Sequence, residues 1–172
     1  MAEGIAWVEP PGLAGAIGML PLPGLVIASR GERFIDGALQ EEVLDTLAAR
    51  QTALLVILLD DGECDPDEIE DLRHAAEARS ITLLSAPIAD FSAPDPRLDW
   101  PALIEHLAGE LRQGGRIAFC CLAGYGRSGM MAARLLIATS STPEAAIMAV
   151  RTARPGAIES EEQVAYLLSC TP

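Results

Sequence analysis

The sequence is poor in basic residues. It contains 12 lysines and arginines against 25 aspartates and glutamates, which gives a formal net charge of −13 at pH 7. This excess of negative charge repels polyanions, so it works against nucleic acid and anionic membranes as partners. Any anionic ligand must therefore be captured by a local site.

Cysteine is also scarce. The four cysteines are Cys64, Cys120, Cys121 and Cys170. Their spacing is not that of a zinc site, and a chain of 172 residues that is 50% hydrophobic can bury a core without disulfides or metals. We therefore expect a single domain over 1–172, no metal or other cofactor, and a reducing, cytoplasmic location.

Long uninterrupted apolar stretches are missing. The most apolar segment, 13–28, contains two prolines and is preceded by Glu3 and Glu9 without any basic residue. This pattern is a poor match to a signal peptide or a membrane span. No repeat or linker is visible, and the proline-rich segments 10–23 and 94–101 are short enough to be loops.

Short apolar runs alternate with segments of helical periodicity. The runs predict buried strands at 25–29, 53–59, 81–84 and 116–120. The periodic segments predict helices at 38–50, 66–79, 99–113, 128–139, 142–153 and 160–169. This order predicts an α/β fold with a central, mainly parallel sheet of four to five strands flanked by helices, and ligands bound at the carboxyl ends of the strands.

One segment has the order of an anion-binding site: a strand, a glycine-bearing loop and a helix start. The strand ends at Cys121 and the helix opens at Arg127 and Ser128. The candidate phosphate-binding loop is Leu122, Ala123, Gly124, Tyr125 and Gly126, together with Arg127. Such a loop can direct successive backbone N–H groups at an oxyanion, and the helix dipole adds positive charge there.

Cys121 at the base of this loop is the candidate nucleophile, because the same N–H groups and a nearby guanidinium favour its thiolate. Arg127 can bind two phosphoryl oxygens through its planar guanidinium, which lysine cannot do. A lone cysteine at a strand end is usually a small buried apolar residue. The combination with two loop glycines, Arg127 and the Ser128 hydroxyl favours the functional interpretation.

This signature, a Cys, five residues, an Arg and then Ser or Thr, resembles that of the cysteine-dependent phosphatases of the protein tyrosine phosphatase superfamily. Flanking segments resemble the dual-specificity branch, and within it the cyclin-dependent kinase inhibitor-3 phosphatase group. They are residues 20–24, 87–90, 93–95, 141–147 and 156–158. The resemblance extends from about residue 17 to 169 and implies the dual-specificity phosphatase fold.

The resemblance implies a protein phosphatase, a hydrolase that uses a phosphocysteine intermediate and no metal. Its mobile acid loop maps onto 87–96, where Asp90 is the general acid that the pattern favours. Asp95 is the competing candidate and Asp99 a more distant one. Ser128 would donate a hydrogen bond to the sulfur, or else cap the helix. Gln163 stands where related enzymes position the attacking water, although an exposed helix glutamine is the simpler interpretation.

One position departs from the family. A histidine usually precedes the nucleophile, whereas this chain has Cys120, so the reactivity of the thiolate is open. A disulfide between Cys120 and Cys121 is disfavoured because adjacent cysteines form a strained ring. The two histidines, His74 and His106, fall in predicted helices and are expected on the surface.

The loop carries no added lysine, which phosphoinositide phosphatases of this superfamily tend to have. We therefore expect a phosphorylated protein as the partner, with phosphotyrosine the main target and phosphoserine or phosphothreonine also admitted. The alternative is a catalytically weak phosphate-binding pseudophosphatase module, which only Cys120 supports. Arsenate reduction or sulfur transfer fits the acid loop and carboxyl-terminal helices poorly.

Overall fold

The computed structural model describes residues 4–171, within which seven strands and six helices are found. The strands are β1 Ala6–Val8, β2 Ala16–Pro21, β3 Leu25–Ile27, β4 Arg33–Ile35, β5 Thr52–Ile57, β6 Thr82–Ser85 and β7 Arg116–Cys121. The helices are α1 Gly37–Ala49, α2 Pro66–Glu77, α3 Trp100–Arg112, α4 Gly126–Ala138, α5 Pro143–Ala153 and α6 Glu161–Ser169.

The central sheet of the described chain has five strands in the order β1-β2-β7-β5-β6. Only β1 runs antiparallel to its neighbour, and β7 lies at the centre between β2 and β5. The predicted α/β class with a mainly parallel sheet is therefore confirmed. Because parallel strands end at the same edge, the residues that follow β2, β5, β6 and β7 converge there.

The sheet separates two apolar layers, and the alternation of β7 shows how. Ile117, Phe119 and Cys121 point into the layer that is packed with α3, α4, α5 and α6. Ala118 and Cys120 point into the opposite layer, which α1 and α2 cover. The two adjacent cysteines therefore lie on different faces of the sheet.

Most helix starts in the described chain are capped by a side chain that accepts a backbone N–H. The caps are Asp36, Asp65, Asp99, Thr142 and Ser160. The exception within residues 4–171 is α4, where Tyr125 makes no side-chain cap. The first N–H groups of this helix are thus not satisfied by a capping side chain.

The sequence-based assignment was wrong for two segments. The proline-rich stretch 10–23 was expected to be a loop, but it contains β2, a buried strand paired with β7. Its Gly18 acts as a packing residue, since an added Cβ would lie 3.2 Å from the Trp7 ring. The segment 25–29 was expected in the buried sheet, yet β3 pairs with β4 in a separate hairpin, where Ile27 is 60% exposed.

The six predicted helices are confirmed, with ends that shift by at most a few residues. The segment 94–101 remains a loop up to the start of α3 at Trp100. His74 and His106 both lie on exposed helix surfaces, as expected. No helix in the described part of the chain combines the length and apolar character needed to cross a membrane.

Candidate active site

The loop between β7 and α4 is shaped by its contact with β2. Pro21 pairs with Cys121 in the sheet register, and the Leu22 N–H donates to the Leu122 carbonyl at 3.4 Å. Gly124 has φ +76°, and a Cβ at this position would lie 2.3 Å from the Leu20 carbonyl carbon. Only glycine fits here, because both the backbone conformation and the space exclude a side chain.

Cys121 lies at the base of this loop and is only 3% exposed. The Gly124 N–H donates to its sulfur at an N···S distance of 3.2 Å. The backbone N–H groups of Gly126, Arg127 and Ser128 have no acceptor among the described residues. The structure therefore places the sulfur beside a helix N-terminus whose donors are free to bind an anion.

The Arg127 side chain is only 1% exposed and is held by several hydrogen bonds. Its Nη1 donates to Glu63 Oε2 at 2.5 Å and to the Ile88 carbonyl at 3.0 Å, and its Nη2 donates to Glu63 Oε1 at 3.0 Å. Its Nε has no partner among the described residues. Glu63 thus occupies the Nη1–Nη2 edge, which leaves Nε and part of Nη2 for a ligand.

Burial alone would lower the pKa of Arg127, but the hydrogen bonds and charge of Glu63, together with the charges of Cys121 and Asp90, outweigh it, so the pKa lies above its ordinary value. The guanidinium is therefore a permanent positive charge next to Cys121. A buried charge of this kind is tolerated because a carboxylate and carbonyl oxygens accept hydrogen bonds from Nη1 and Nη2.

Glu63 is a site residue that the sequence patterns did not single out. It follows β5, and its carboxylate also accepts the N–H of Asp60 at 2.6 Å, which closes the loop that carries it. The sequence did carry a signal, because acidic residues follow β5 and Cys121 ends β7, and parallel strands end at the same edge of the sheet. The spacing alone does not say which of the carboxylates in 60–63 reaches the arginine.

The acid loop brings Asp90 to the arginine and holds Asp95 elsewhere. Asp90 Oδ1 lies 3.4 Å from Arg127 Nη2, with the carboxylate side chain half exposed. Asp95 binds Arg97 through Nε at 2.8 Å, and this bond lowers the pKa of Asp95. Asp99 caps α3 by accepting the Ala102 N–H. Of the three candidates, Asp90 is the one that contacts the other site residues.

The acid loop is also attached to the start of α6. The Ser160 hydroxyl donates to the Phe91 carbonyl at 2.5 Å, and the Ala93 N–H donates to Glu162 Oε1 at 3.0 Å. These two bonds hold the loop over the edge of the sheet where Cys121 lies.

Two further polar side chains near the loop are buried. Ser128 is fully buried, and its hydroxyl has no hydrogen-bond partner among the described residues. Gln163 was expected to be exposed, and that expectation was wrong. It is fully buried. Its Oε1 accepts the Glu159 and Ser160 N–H groups, which turns the side chain back against the backbone, and its own backbone N–H donates to the Ser160 hydroxyl. Its Nε2 lies near Gly126 without a partner in the described chain.

Cys120 is fully buried in the layer opposite Cys121, and burial raises the pKa of its thiol far above the ordinary value. All four cysteines, each within the described residues, are free thiols. The bond that the structure shows at the Cys121 sulfur comes from the Gly124 backbone. The Cys120 side chain therefore lies on the face of the sheet opposite the Cys121 sulfur.

Comparison with protein-family models and with curated proteins gives no match. Solved structures do match. Kinase associated phosphatase, carrying a serine in place of its catalytic-site cysteine, aligns with a TM-score of 0.77 at 24% identity, over 95% of this chain and 90% of that one. Tk-PTP in its active form aligns at 0.64 and 26%, over 95% of both chains. PTPMT1 aligns at 0.63 and 15%, over 94% of this chain and 90% of that one.

These neighbours have the fold that the resemblance of the Cys121-to-Ser128 motif implies. The chain therefore has the fold of the dual-specificity and protein tyrosine phosphatases, with kinase associated phosphatase among its structural neighbours.

Proposed function

We propose that this chain is a cysteine-dependent phosphomonoester hydrolase that acts on phosphoproteins through a phosphocysteine intermediate. The observation that carries the proposal is the position of the Cys121 sulfur. It lies at the uncapped start of α4, 3.2 Å from the Gly124 nitrogen, on a loop whose next residues include the paired, buried Arg127. The phosphatase fold of the chain supports the same reaction class.

In the first step, the Cys121 thiolate attacks phosphorus, and the bond from phosphorus to the leaving oxygen breaks. The free N–H groups of the loop bind the equatorial phosphoryl oxygens as negative charge spreads over them. Arg127 binds the same oxygens through Nε and Nη2. Asp90 gives its proton to the leaving alcohol or phenol, which departs neutral. The products of this step are a phosphocysteine, the free alcohol and an Asp90 carboxylate.

In the second step, water attacks the phosphocysteine and Asp90 takes a proton from it, so that phosphate and the Cys121 thiolate are released. The buried Ser128 hydroxyl has no other hydrogen-bond partner among the described residues, so it can donate a hydrogen bond that stabilises the departing thiolate. This chemistry needs a reduced Cys121 and therefore a reducing compartment such as the cytoplasm.

We propose a phosphorylated protein as the substrate, with phosphotyrosine as its main target, and the charges around the loop argue against the phosphoinositide alternative. Glu63 and Asp90 both lie at Arg127, and Glu159 approaches Gly126, so the rim of the site carries carboxylates. The sequence contains no lysine. PTPMT1 has been solved in complex with PI(5)P, but a ligand with added phosphates needs added cations, and an acidic rim repels it.

The test is hydrolysis of a small aryl phosphate by the wild type, Cys121→Ser, Asp90→Asn and Asp95→Asn, with reductant and a chelator present. We expect no turnover in Cys121→Ser, a loss of about 100-fold or more in Asp90→Asn, and little change in Asp95→Asn. Reversal of the two aspartate results would assign the acid to Asp95.

Substrate class is tested with phosphotyrosine, phosphoserine and phosphothreonine peptides and with PI(5)P, where we expect the phosphotyrosine peptide to be hydrolysed fastest. Binding of vanadate by wild type without turnover of any substrate would replace the proposal by the phosphate-binding pseudophosphatase.

A further inference from the structure

Arg154, at the end of α5, contacts the outer side of the phosphate-binding loop. Its Nη2 donates to the Ala123 carbonyl at 3.3 Å, and its Nη1 donates to the Gly4 carbonyl at 2.9 Å. The guanidinium also stacks over the Tyr125 ring, with its central carbon 4.1 Å from the ring centroid. Three contacts from different directions therefore fix the orientation of this side chain.

The carbonyl that Arg154 binds belongs to the peptide unit whose N–H contacts the nucleophile. That unit joins Ala123 to Gly124: its oxygen accepts from Arg154, and its N–H donates to the Cys121 sulfur at 3.2 Å. A cationic donor on the oxygen polarises the peptide and strengthens hydrogen bonding by its N–H.

The same contact restrains the direction in which this peptide points. Gly124 has φ +76° and no Cβ, and a glycine restricts its own backbone less than any other residue does. The backbone therefore offers little resistance to rotation of the Ala123–Gly124 peptide. Rotation would turn the N–H away from Cys121. A donor fixed on the Ala123 oxygen opposes that rotation because the oxygen would have to leave Arg154.

We propose that Arg154 is a positioning residue that acts on Cys121 through one peptide unit. It holds the Ala123–Gly124 N–H on the sulfur and so supports the thiolate, without touching the reacting atoms. The inference rests on the proposed function only in taking this thiolate as the nucleophile.

The test is the rate of alkylation of Cys121 by iodoacetamide between pH 5 and 9, followed by mass spectrometry of the Cys121 peptide. Arg154→Met removes the donors but keeps an apolar side chain of similar length. We expect alkylation at pH 6 to be about two- to four-fold slower than in wild type, because polarisation contributes a fraction of one charge-assisted hydrogen bond. The difference between the two rates should be largest at the acidic end of this range and smallest at pH 9.

Two variants serve as controls. Arg151→Met removes two side-chain bonds from the same helix end, those to the Ala157 and Ile158 carbonyls, without a contact to the phosphate-binding loop. Its alkylation profile should match wild type. Arg154→Lys keeps the charge but cannot bind both carbonyls and stack on Tyr125, so it should recover only part of the difference. It also serves if Arg154→Met does not fold.

Equal slowing by Arg151→Met and Arg154→Met would overturn the proposal, because the effect would then be general loosening of the helix end. A wild-type alkylation profile in Arg154→Met would overturn it as well, whereas recovery in Arg154→Lys would support it, because lysine can still place a cationic donor on the Ala123 carbonyl. Alkylation needs no turnover, so these outcomes remain readable even if the chain proves not to hydrolyse any phosphate ester.

Discussion

Replacement of Glu63 by glutamine removes the charge that holds Arg127 while keeping the shape of the side chain. In the native chain both carboxylate oxygens bind the guanidinium, and one of them also accepts the Asp60 N–H. A glutamine retains one acceptor and turns an amide N–H₂ group toward donors. Arg127 would keep the Ile88 carbonyl and Asp90 as partners, so the pairing is weakened rather than abolished.

The cost follows from the burial of the pair. Removing one partner of a fully buried ion pair costs about 3–5 kcal/mol. The Glu63 side chain is 21% exposed and glutamine keeps one hydrogen bond, so we expect about 2 kcal/mol. For a chain of this length that corresponds to a fall in Tm of about 4–8 °C. If Arg127 shifts at the same time, kcat for an aryl phosphate should fall by roughly ten-fold with less change in KM.

The assay combines thermal unfolding with steady-state kinetics for Glu63→Gln and for Asp61→Asn. Asp61 lies in the same loop with its side chain 95% exposed and at 3.9 Å from Arg97, so its replacement should change neither measurement noticeably. Unchanged Tm and kcat in Glu63→Gln would refute the reasoning, because they would mean that the carboxylate does not hold Arg127 in solution.

Three other contacts give predictions of their own. Gly124→Ala should destabilise the chain by more than about 3 kcal/mol, because its Cβ would meet backbone atoms at 2.3 Å. Gly31→Ala, at φ +83° in open space, should cost only about 1 kcal/mol. Denaturant unfolding of the two variants measures the difference in the free energy of unfolding. Arg97 lowers the pKa of Asp95, so the stability that this ion pair adds is present above about pH 4 and is lost as the pH falls. Arg97→Gln should therefore lower Tm at pH 7 but not at pH 2. An equal fall in Tm at both pH values would contradict this. Cys120→His should lower Tm by about 4–8 °C, since an imidazole overfills a fully buried position, and an unchanged Tm would show that the strand has room.

The elements that the sequence predicted well are those whose pattern is local. The helices were found because the apolar period lies within the segment itself, and caps such as Asp65 and Thr142 are equally local. The strand β2 was not found, because Gly18 and Pro21 are typical breakers in isolation. Only the tertiary contact of Gly18 with the Trp7 ring explains why this glycine belongs in a strand.

The same distinction applies to the site. The loop from Cys121 to Ser128 is contiguous, so its residue types and their order are enough to predict an anion-binding turn. Glu63 lies 64 positions from Arg127, and no local pattern marks which acidic residue will meet a given arginine. Gln163 was recognisable as half of a Ser160 capping box, a signal that would have placed its side chain against the backbone instead of in solvent.

The direction of the Cys120 side chain decides how the replacement of the usual histidine affects the site. Successive side chains of β7 point to opposite faces, so Cys120 lies in the layer of α1 and α2 while Cys121 faces the loop and α4. The hydrogen bond that the structure shows at the Cys121 sulfur comes from the Gly124 backbone, not from a neighbouring side chain. Loss of the histidine therefore removes no group that contacts the sulfur in this chain. The loop is oriented instead by its backbone contact with the end of β2 and by the Arg154 side chain, which binds the carbonyl of the same peptide unit that supplies the Gly124 donor.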